Sequence, residues 1–589
     1  MERLVYLLKK NGLFRFITYK NMRINYLQLK TGRNIDLLHK ISVFVGPNNA
    51  GKSQTLKDIR CLMDRQSSPI KSPVILQDDN SCFDIPDLDA IKGDVYFSKS
   101  IRNVDHYTIE AIGSNLFGKF DFDIYKPQLD NYNTQDEDAR RKMFFNWFSK
   151  YYIALMDAET RLKLSSETSS FIPGETIPEN LIQAMFIRPE LETVLQLAFR
   201  DAFQQDIKLD VSQLKKLCFR VGDRVNQIPT NARFAYNIAK DIPKIDSQGD
   251  GYRSFAGIII GLLICQNRII LLDEPEAFLH PAQAYFLGKW IGSHQDFFGS
   301  QLLICTHSSN FLSGILTGTQ ELDVIRLQRE DNTTNYNNLS SDISKQLIGN
   351  PILSSQRVVE GIFHKGVVVC EADADRAIYQ AVASIYHNSN REILFIHAHN
   401  KQTLALVANI LRNTGTPVAV IADIDILRLG KDLEDVYREL TGDELDQNLR
   451  DRQKSLNEFI DIRPESEVLQ ELKQNVEVFL KQLQDGDHNL DGAKGALSRI
   501  KSDTSKWSIF KRYGVSALEG EHAKNAEILI SELRKKGVFV VPVGELEGWI
   551  DLGTHKKNKW IIPALEAIYQ HKATDKIVDF VGNVLEFFK

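Results

Sequence analysis

Six short apolar runs, each closed by a polar or glycine-rich turn, punctuate the chain, at residues 41–45, 268–272, 301–305, 366–370, 417–422 and 537–541, with a longer helical run at 255–265. Short runs that stay apolar instead of alternating, bounded by turn residues, predict strands buried on both faces of a mainly parallel sheet. Residues 24–38 alternate apolar and polar like two strands leading into the first run, and a helix is expected from Ser53 to about Met63. A long excursion covers about 66–240, and its middle, 136–164, has helical periodicity with an aromatic stripe of Phe144, Phe145, Trp147, Phe148, Tyr151 and Tyr152. That stripe is better explained as core or subunit interface than as a base-stacking platform. Residues 331–341 are polar and predict a loop near a boundary, with the linker ending near Gly361. Residues 431–505 carry helical patterns rich in both charges, a helical insertion solvated on one face. There is no internal repeat and no sustained heptad pattern. The expectation is an α/β chain of two units, 1–350 and 351–589, the first with a helical insertion at 66–240 and the second with one at 431–505.

The polar ends of these runs hold the chemistry. Gly46, Asn49, Gly51, Lys52 and Ser53 follow the first strand with the spacing of a phosphate-cradling loop. Glycines let the backbone wrap an anion, the N–H groups of the following helix start point at phosphate, Lys52 reaches the outer phosphates and Ser53 holds Mg²⁺. Residues 268–274 form an apolar strand ending in Asp273 and Glu274, a Walker B pattern. Asp273 serves the magnesium site, and Glu274 polarises the water that attacks the γ-phosphate. Between these two lies a polar turn with Ser247, Gly249 and Gly251 running into an apolar helix, which suits an anion-facing helix start. His307 follows the strand 301–305 at the sheet edge where ligands collect, although a lone histidine there is more often structural.

Together these four elements resemble the ATP-binding-cassette type of ATPase head, in the branch that includes SMC proteins, RecF and the OLD (overcoming lysogenization defect) nucleases, over roughly residues 22–330. The resemblance implies ATP as cofactor and two heads closing face to face over it. The turn of Ser247, Gly249 and Gly251 then completes the phosphate site of the opposite head, His307 matches the switch histidine and Glu274 the catalytic base. Arg161 resembles a position near the nucleotide.

The second constellation is acidic. Glu371 and Asp375 follow the run 366–370 and share a face if a helix starts there; Asp423 and Asp425 end the next strand on one side of an extended chain; Glu545 and Glu547 end the last. Hard divalent cations take carboxylate oxygens, and two of them clamp the attacking and leaving oxygens of a phosphodiester. Any one of these strand ends alone reads better as a helix N-cap or a solvated strand end. As a set they resemble a Toprim domain over about 364–430 and 506–562, with Asp423 and Asp425 as its paired aspartates and Glu371 as its glutamate. Ala372 stands where the family pattern has glycine, and Asp375 fits the OLD variant. The resemblance implies a metal set of Glu371, Asp375, Asp423, Asp425 and Glu547, holding Mg²⁺ with Mn²⁺ as an alternative, and a lysine that assists the transition state. Lys559 is the choice for it, with Lys556 and Lys557 close enough to compete.

An interrupted ATPase head followed by a C-terminal Toprim domain is similar to OLD-family ATP-dependent nucleases, including the nuclease subunits of Gabija and of some retron systems. This implies an ATP-regulated DNA endonuclease in bacterial defence against phage, a homodimer or higher homo-oligomer through the heads, and a helicase or a retron reverse transcriptase with its RNA–DNA product as partner. The competing reading is a non-nucleolytic ATP-driven DNA-bound switch acting with a separate effector. A primase or topoisomerase is disfavoured, because neither a tyrosine-nucleophile domain nor a primase zinc motif accompanies the acids.

Composition changes this picture little. The 589 residues carry a formal net charge of −5 and a pI near 6.3, so DNA contact must be local rather than chain-wide. Lys494, Arg499, Lys501, Lys506, Lys511 and Arg512, the later ones interleaved with Trp507, Phe510 and Tyr513, are the candidates, although an ordinary solvated face explains them better. The six cysteines are scattered, without a CxxC pair, as small core residues in a reducing cytosol. No apolar run suits a signal peptide or a membrane span, so a cytoplasmic location without membrane contact is expected.

Overall fold

The computed structural model describes residues 22–65, 68–79, 82–113, 118–229, 232–330, 333–339, 356–388, 392–428, 430–461, 465–484, 490–503, 507–552 and 557–589. The chain divides into two compact units, Met1–Val359 and Glu360–Lys589.

The first unit is built on a six-stranded sheet. In chain order its elements are β1 (Ile41–Val45), α1 (Lys52–Met63), β2 (Ile153–Met156), α2 (Ala158–Leu164), α3 (Asp250–Ile264), β3 (Ile269–Asp273), β4 (Gln301–Cys305), β5 (Asp323–Glu330) and β6 (Thr333–Leu339). Across the sheet the order is β6-β5-β1-β4-β3-β2, parallel throughout except for β6, which runs antiparallel to β5. Every residue of β1 and β4 is buried, as expected of strands covered on both faces. Register does the positioning: Asp273 stands opposite Cys305, and Cys305 opposite Phe44, so the turns after β1, β3 and β4 emerge side by side at one edge. Helix α3 lies directly on α2, because a Cβ at Gly257 would stand 2.2 Å from the Arg161 carbonyl oxygen.

Two local expectations give way to tertiary pairing. Residues 153–156 leave the helical stretch and become β2, because Ile153 to Met156 find a parallel partner in Ile269 to Leu272. The polar run expected as a loop after 331 contributes β6, an edge strand that buries Tyr336 and Leu339 while Thr333 and Asn338 are exposed. The excursion expected to be helical is mixed: the helices Glu137–Trp147 and Pro189–Phe203 accompany two three-stranded antiparallel sheets, one of Tyr96–Lys99, His106–Ile112 and Lys119–Tyr125 and one of Thr168–Ser169, Lys216–Val221 and Ile207–Asp210. The period of two along 119–125, with Phe120, Phe122 and Ile124 facing one way, is the strand signal there. The aromatic stripe is core: Phe144, Phe148 and Tyr152 are each at most 1% exposed.

The second unit carries β7 (Gly366–Cys370), α4 (Asp373–Tyr386), β8 (Ile393–His397), α5 (Lys401–Asn413), β9 (Val418–Ala422), α6 (Ser508–Tyr513), β10 (Val538–Val540) and α7 (Lys557–Tyr569). Its four-stranded sheet is all parallel, in the order β8-β7-β9-β10. Its core packs Val368, Phe539 and Ile421 against Tyr379, Trp549, Trp560 and Phe580. The helices Lys431–Thr441, Gln447–Asp461, Glu465–Gln484 and Leu490–Asp503 fill the interval between β9 and α6. All six cysteines are buried thiols, and no helix among the described residues is long and apolar enough to cross a membrane.

Candidate functional site

In the first unit the loop after β1 has the backbone that an anion cradle requires. Gly46, Asn49 and Gly51 have φ of 137°, 62° and 102°, all left-handed, and a Cβ on Gly46 would meet the Leu327 carbonyl oxygen at 2.2 Å. Helix α1 begins with neither a side-chain cap nor an acidic residue in its first turn, leaving its N–H groups and dipole directed at the loop. A cleft of about 1030 Å³ opens there, lined in part by Asn49, Gly51, Lys52, Ser53, Glu274 and His307. Lys52 is buried, its ammonium donating to the carbonyls of Gly46 and Pro47 at 2.7 Å each. Burial drives its pKa down to about 8, against the opposing pull of the Cys305 thiol and of Glu274, Glu276 and Asp273.

The ends of α1 and β3 meet where the sequence implies a shared cation: Ser53 Oγ donates to Asp273 Oδ1 at 2.9 Å. Burial raises the Asp273 carboxyl above its ordinary range, and Glu274 adds to this. Glu274 sits in a left-handed turn at φ 49°, its N–H donating to the Cys305 carbonyl at 2.8 Å and its Oε1 lying 3.4 Å from His307 Nε2. Burial lowers the His307 pKa, with Lys52 adding, so the imidazole is neutral at pH 7 and can share a proton with Glu274 or a water between them.

Two residues not assigned a role from sequence complete this site. Arg161, on α2, is fully buried and donates from Nη1 to the Met156 and Asp273 carbonyls, from Nη2 to the Glu274 carbonyl at 2.9 Å and from Nε to Ser254 Oγ on α3. It therefore braces the turn that presents Glu274. Glu276 accepts the His307 N–H at 2.7 Å, and burial raises its carboxyl. The resemblance flagged the place of Arg161; nothing local marks Glu276.

Ser247, Gly249 and Gly251 do not line this cleft among the described residues. Ser247 is exposed, its hydroxyl donating to the Lys244 carbonyl, and Gly249 opens α3 without a side-chain cap, with nothing within 4 Å of where a Cβ would be. Gly251 serves the fold, since a Cβ there would be 2.7 Å from the Phe278 carbonyl oxygen.

In the second unit the strand ends converge. Glu371 Oε1, after β7, accepts the N–H of Asp423, after β9, at 3.2 Å. Burial pushes the Glu371 carboxyl up; Lys401 opposes this, and Asp425 and Asp375 reinforce it. Asp375 is buried and accepts the Ala372 N–H at 3.0 Å, so it caps the start of α4. Asp425 lies in the turn Ile424–Leu427, where Lys401 engages its Oδ1 and Lys511 its Oδ2, the latter at 2.5 Å. These two hydrogen-bonded lysines outweigh burial and hold the Asp425 carboxyl below its ordinary range. Lys511 also stands 3.6 Å from Glu545 Oε1, so after β10 it is Glu545 that joins the network, while Glu547 occupies the half-buried turn Leu546–Gly548. At the edge of the sheet His397 Nδ1 lies 3.4 Å from Asp373 Oδ1.

The expected lysine is elsewhere. Lys559 is exposed on α7 without a described ion pair to these acids; Lys556 and the side chain of Lys557 lie outside the described residues. Among the described residues, Lys401 and Lys511 are the basic groups paired with Asp425. Of the other candidate DNA contacts, Lys494 is exposed, Arg512 lies 5.5 Å over the Tyr513 ring, and the side chains of Arg499, Lys501 and Lys506 are outside the described residues.

Among the described residues no three acidic, histidine or cysteine side chains already stand in metal-holding geometry. The donor set nevertheless suits a divalent cation: Glu371, Asp423 and Asp425 offer only hard oxygens, and a cation would relieve the repulsion between Glu371 and Asp425.

Family models match both units. Residues 41–313 match the model described as AAA domain, putative AbiEii toxin, Type IV TA system, and residues 362–425 match the one described as overcoming lysogenization defect protein-like, TOPRIM domain. No curated protein matches the chain in sequence. Among solved structures, the SmcHead bound to the C-winged helix domain of ScpA aligns at 11% identity, covering 55% of this chain and 97% of that one with a TM-score of 0.30. The SMC head domain from Thermotoga maritima aligns at 11% identity over 54% of this chain and 97% of that one, with a TM-score of 0.27.

Proposed function

We propose that this chain, which carries the ATPase-plus-TOPRIM core of the overcoming lysogenization defect family, is an ATP-regulated, Mg²⁺-dependent DNA endonuclease. The observation that carries the reading is the junction of Glu371 with the Asp423 backbone and with Asp425 at the ends of neighbouring parallel strands. In the nuclease site Glu371, Asp423 and Asp425 would hold the ions, the Asp423 N–H fixing the orientation of Glu371. Bound divalent cations would supply charge stabilisation for an in-line phosphodiester displacement. In the ATPase site Lys52 and the loop N–H groups would bind the phosphates, Ser53 and Asp273 would hold the nucleotide's Mg²⁺, and Glu274, braced by Arg161 and facing the neutral His307, would orient the attacking water.

Ser247 and Gly249 stand exposed at a helix start outside their own cleft, which supports a second head completing the phosphate site across a homodimer. ATP then gates access to DNA while the carboxylates cut it. The resemblance to the family, carried by the motifs above, implies a role in bacterial defence against phage.

One observation favours the other reading, a switch without nuclease activity: Asp425 is held by two lysines, as a structural acid would be. Incubating the pure protein with supercoiled, linear and single-stranded DNA in Mg²⁺ and then in EDTA, with and without ATP, separates them. Cleavage that EDTA stops, that Asp423→Ala and Glu371→Ala abolish and that Lys52→Ala only re-regulates supports the nuclease. Intact DNA under every condition leaves the switch.

A further inference from the structure

Both oxygens of the Asp425 carboxylate are engaged by side-chain cations. Lys401 approaches Oδ1 from the start of α5, and Lys511 approaches Oδ2 from α6, at 2.5 Å. An ion that coordinates this carboxylate has to displace at least one ammonium, since two full positive charges within about 4 Å of a third repel it strongly in a partly buried site.

Asp425 and Lys401 are 18% and 21% exposed at their side chains, while the Lys511 side chain is 40% exposed but its backbone, on α6, is pressed into the turn after β10. A Cβ on Gly544 would stand 1.9 Å from the Lys511 carbonyl oxygen, and one on Gly514 would stand 2.0 Å from that of Pro542; both glycines have left-handed φ, 103° and 61°. Val515 N–H donates to the Pro542 carbonyl at 2.9 Å and Ile424 N–H to the Gly544 carbonyl at 3.1 Å, which ties α6, the β10 turn and the Asp425 turn into one piece. Glu545 Oε1, 3.6 Å from the Lys511 ammonium, is a second anchor to which that ammonium can swing.

We infer that Lys401 and Lys511 form a two-lysine clamp that competes with divalent cations for Asp425 and, once displaced, presents two ammonium groups to the substrate phosphodiester. The inference rests on the nuclease reading and adds to it that metal loading and substrate-phosphate binding share one exchange. The exchange trades an ion pair for a metal–oxygen bond and moves no proton. It also places the cationic help to the transition state on these two lysines instead of Lys559.

The test is Mn²⁺ binding to the full chain by isothermal titration and by electron paramagnetic resonance, without DNA or nucleotide. Lys511→Met and Lys401→Met are each expected to tighten Mn²⁺ binding about three- to ten-fold, while Lys535→Met, which removes the same charge from an exposed helix paired with Glu532, leaves it unchanged. In an Asp425→Asn background the two lysine substitutions should no longer change Mn²⁺ affinity, which separates the clamp from a general field effect. Despite the tighter metal, the Lys511→Met enzyme should show a raised KM for DNA. Unchanged or weaker Mn²⁺ binding in both lysine variants, with unaltered melting temperatures, overturns the clamp. Loss of fold in one variant leaves the other to decide, since each lysine engages a different oxygen. If the wild type binds Mn²⁺ with no dependence on Asp423, the nuclease reading itself fails, a result distinct from failure of the clamp.

Discussion

Lys52 should cost the folded head stability, and the cost should depend on pH in a defined direction. Its ammonium, buried at 3% exposure, gives up its proton near 8 instead of the ordinary 10.5. At about 1.4 kcal/mol per pH unit, that difference amounts to roughly 3 kcal/mol against folding at neutral pH. Between pH 8 and 10.5 the unfolded chain holds the proton that the folded one has lost, so this contribution to stability rises with pH through that window and the penalty is gone above it. Lys52→Met removes the penalty and forfeits the hydrogen bonds to the Gly46 and Pro47 carbonyls, worth about 1 kcal/mol each. The variant head should therefore be more stable than wild type by about 1 kcal/mol at pH 7, roughly 2 °C, and less stable at pH 10.5. Scanning calorimetry of the head transition at pH 7, 9 and 10.5 reads this crossover directly. A gap that does not change with pH, or a wild type already ahead at pH 7, refutes the reasoning. The variant should also lose ATP binding, because a phosphate chain is what makes the buried charge tolerable.

Arg161→Met withdraws the guanidinium from the carbonyls of Asp273 and Glu274, and should lower kcat for ATP hydrolysis about 10- to 100-fold with nucleotide affinity nearly kept, as read by steady-state ATPase assay and fluorescent-nucleotide titration. Because burial raises the Glu371 carboxyl, metal-dependent cleavage should decline on the acid side at a higher pH than an ordinary glutamate would set, the protonated acid being unable to hold a cation; a pH–rate profile shows it. Gly544→Ala, with its Cβ driven against the Lys511 carbonyl from a left-handed backbone, should cut DNA cleavage sharply and spare ATPase turnover, measured on the same preparation.

The nucleotide site was legible because its information is local. A strand, a glycine-bearing loop, Lys52 and Ser53 stand consecutively, and the β3 strand ends in its own acids, so chain order nearly reproduces the site. The carboxylates were legible as strand ends, since parallel strands present their C-terminal ends at one edge. What escaped depends on distant partners. Lys511 reaches Asp425 across the whole helical insertion, and Lys401 does so from a different strand's exit, so neither carries a signal in its own neighbourhood. Glu276 shows its use only where the chain returns as His307. Strand β6 was hidden because an edge strand of threonine and asparagine reads as a loop until its ladder with β5 is seen, and β2 because its pairing with β3 overrides a helical pattern.

A crystal soaked in Mn²⁺ and measured for anomalous scattering tests the central claim most directly. The account predicts density between Glu371, Asp423 and Asp425, at about 2.1 Å from carboxylate oxygens, with the Asp425 side chain freed from at least one of its lysines. Manganese that binds only elsewhere, with Asp425 still held by Lys401 and Lys511, contradicts it.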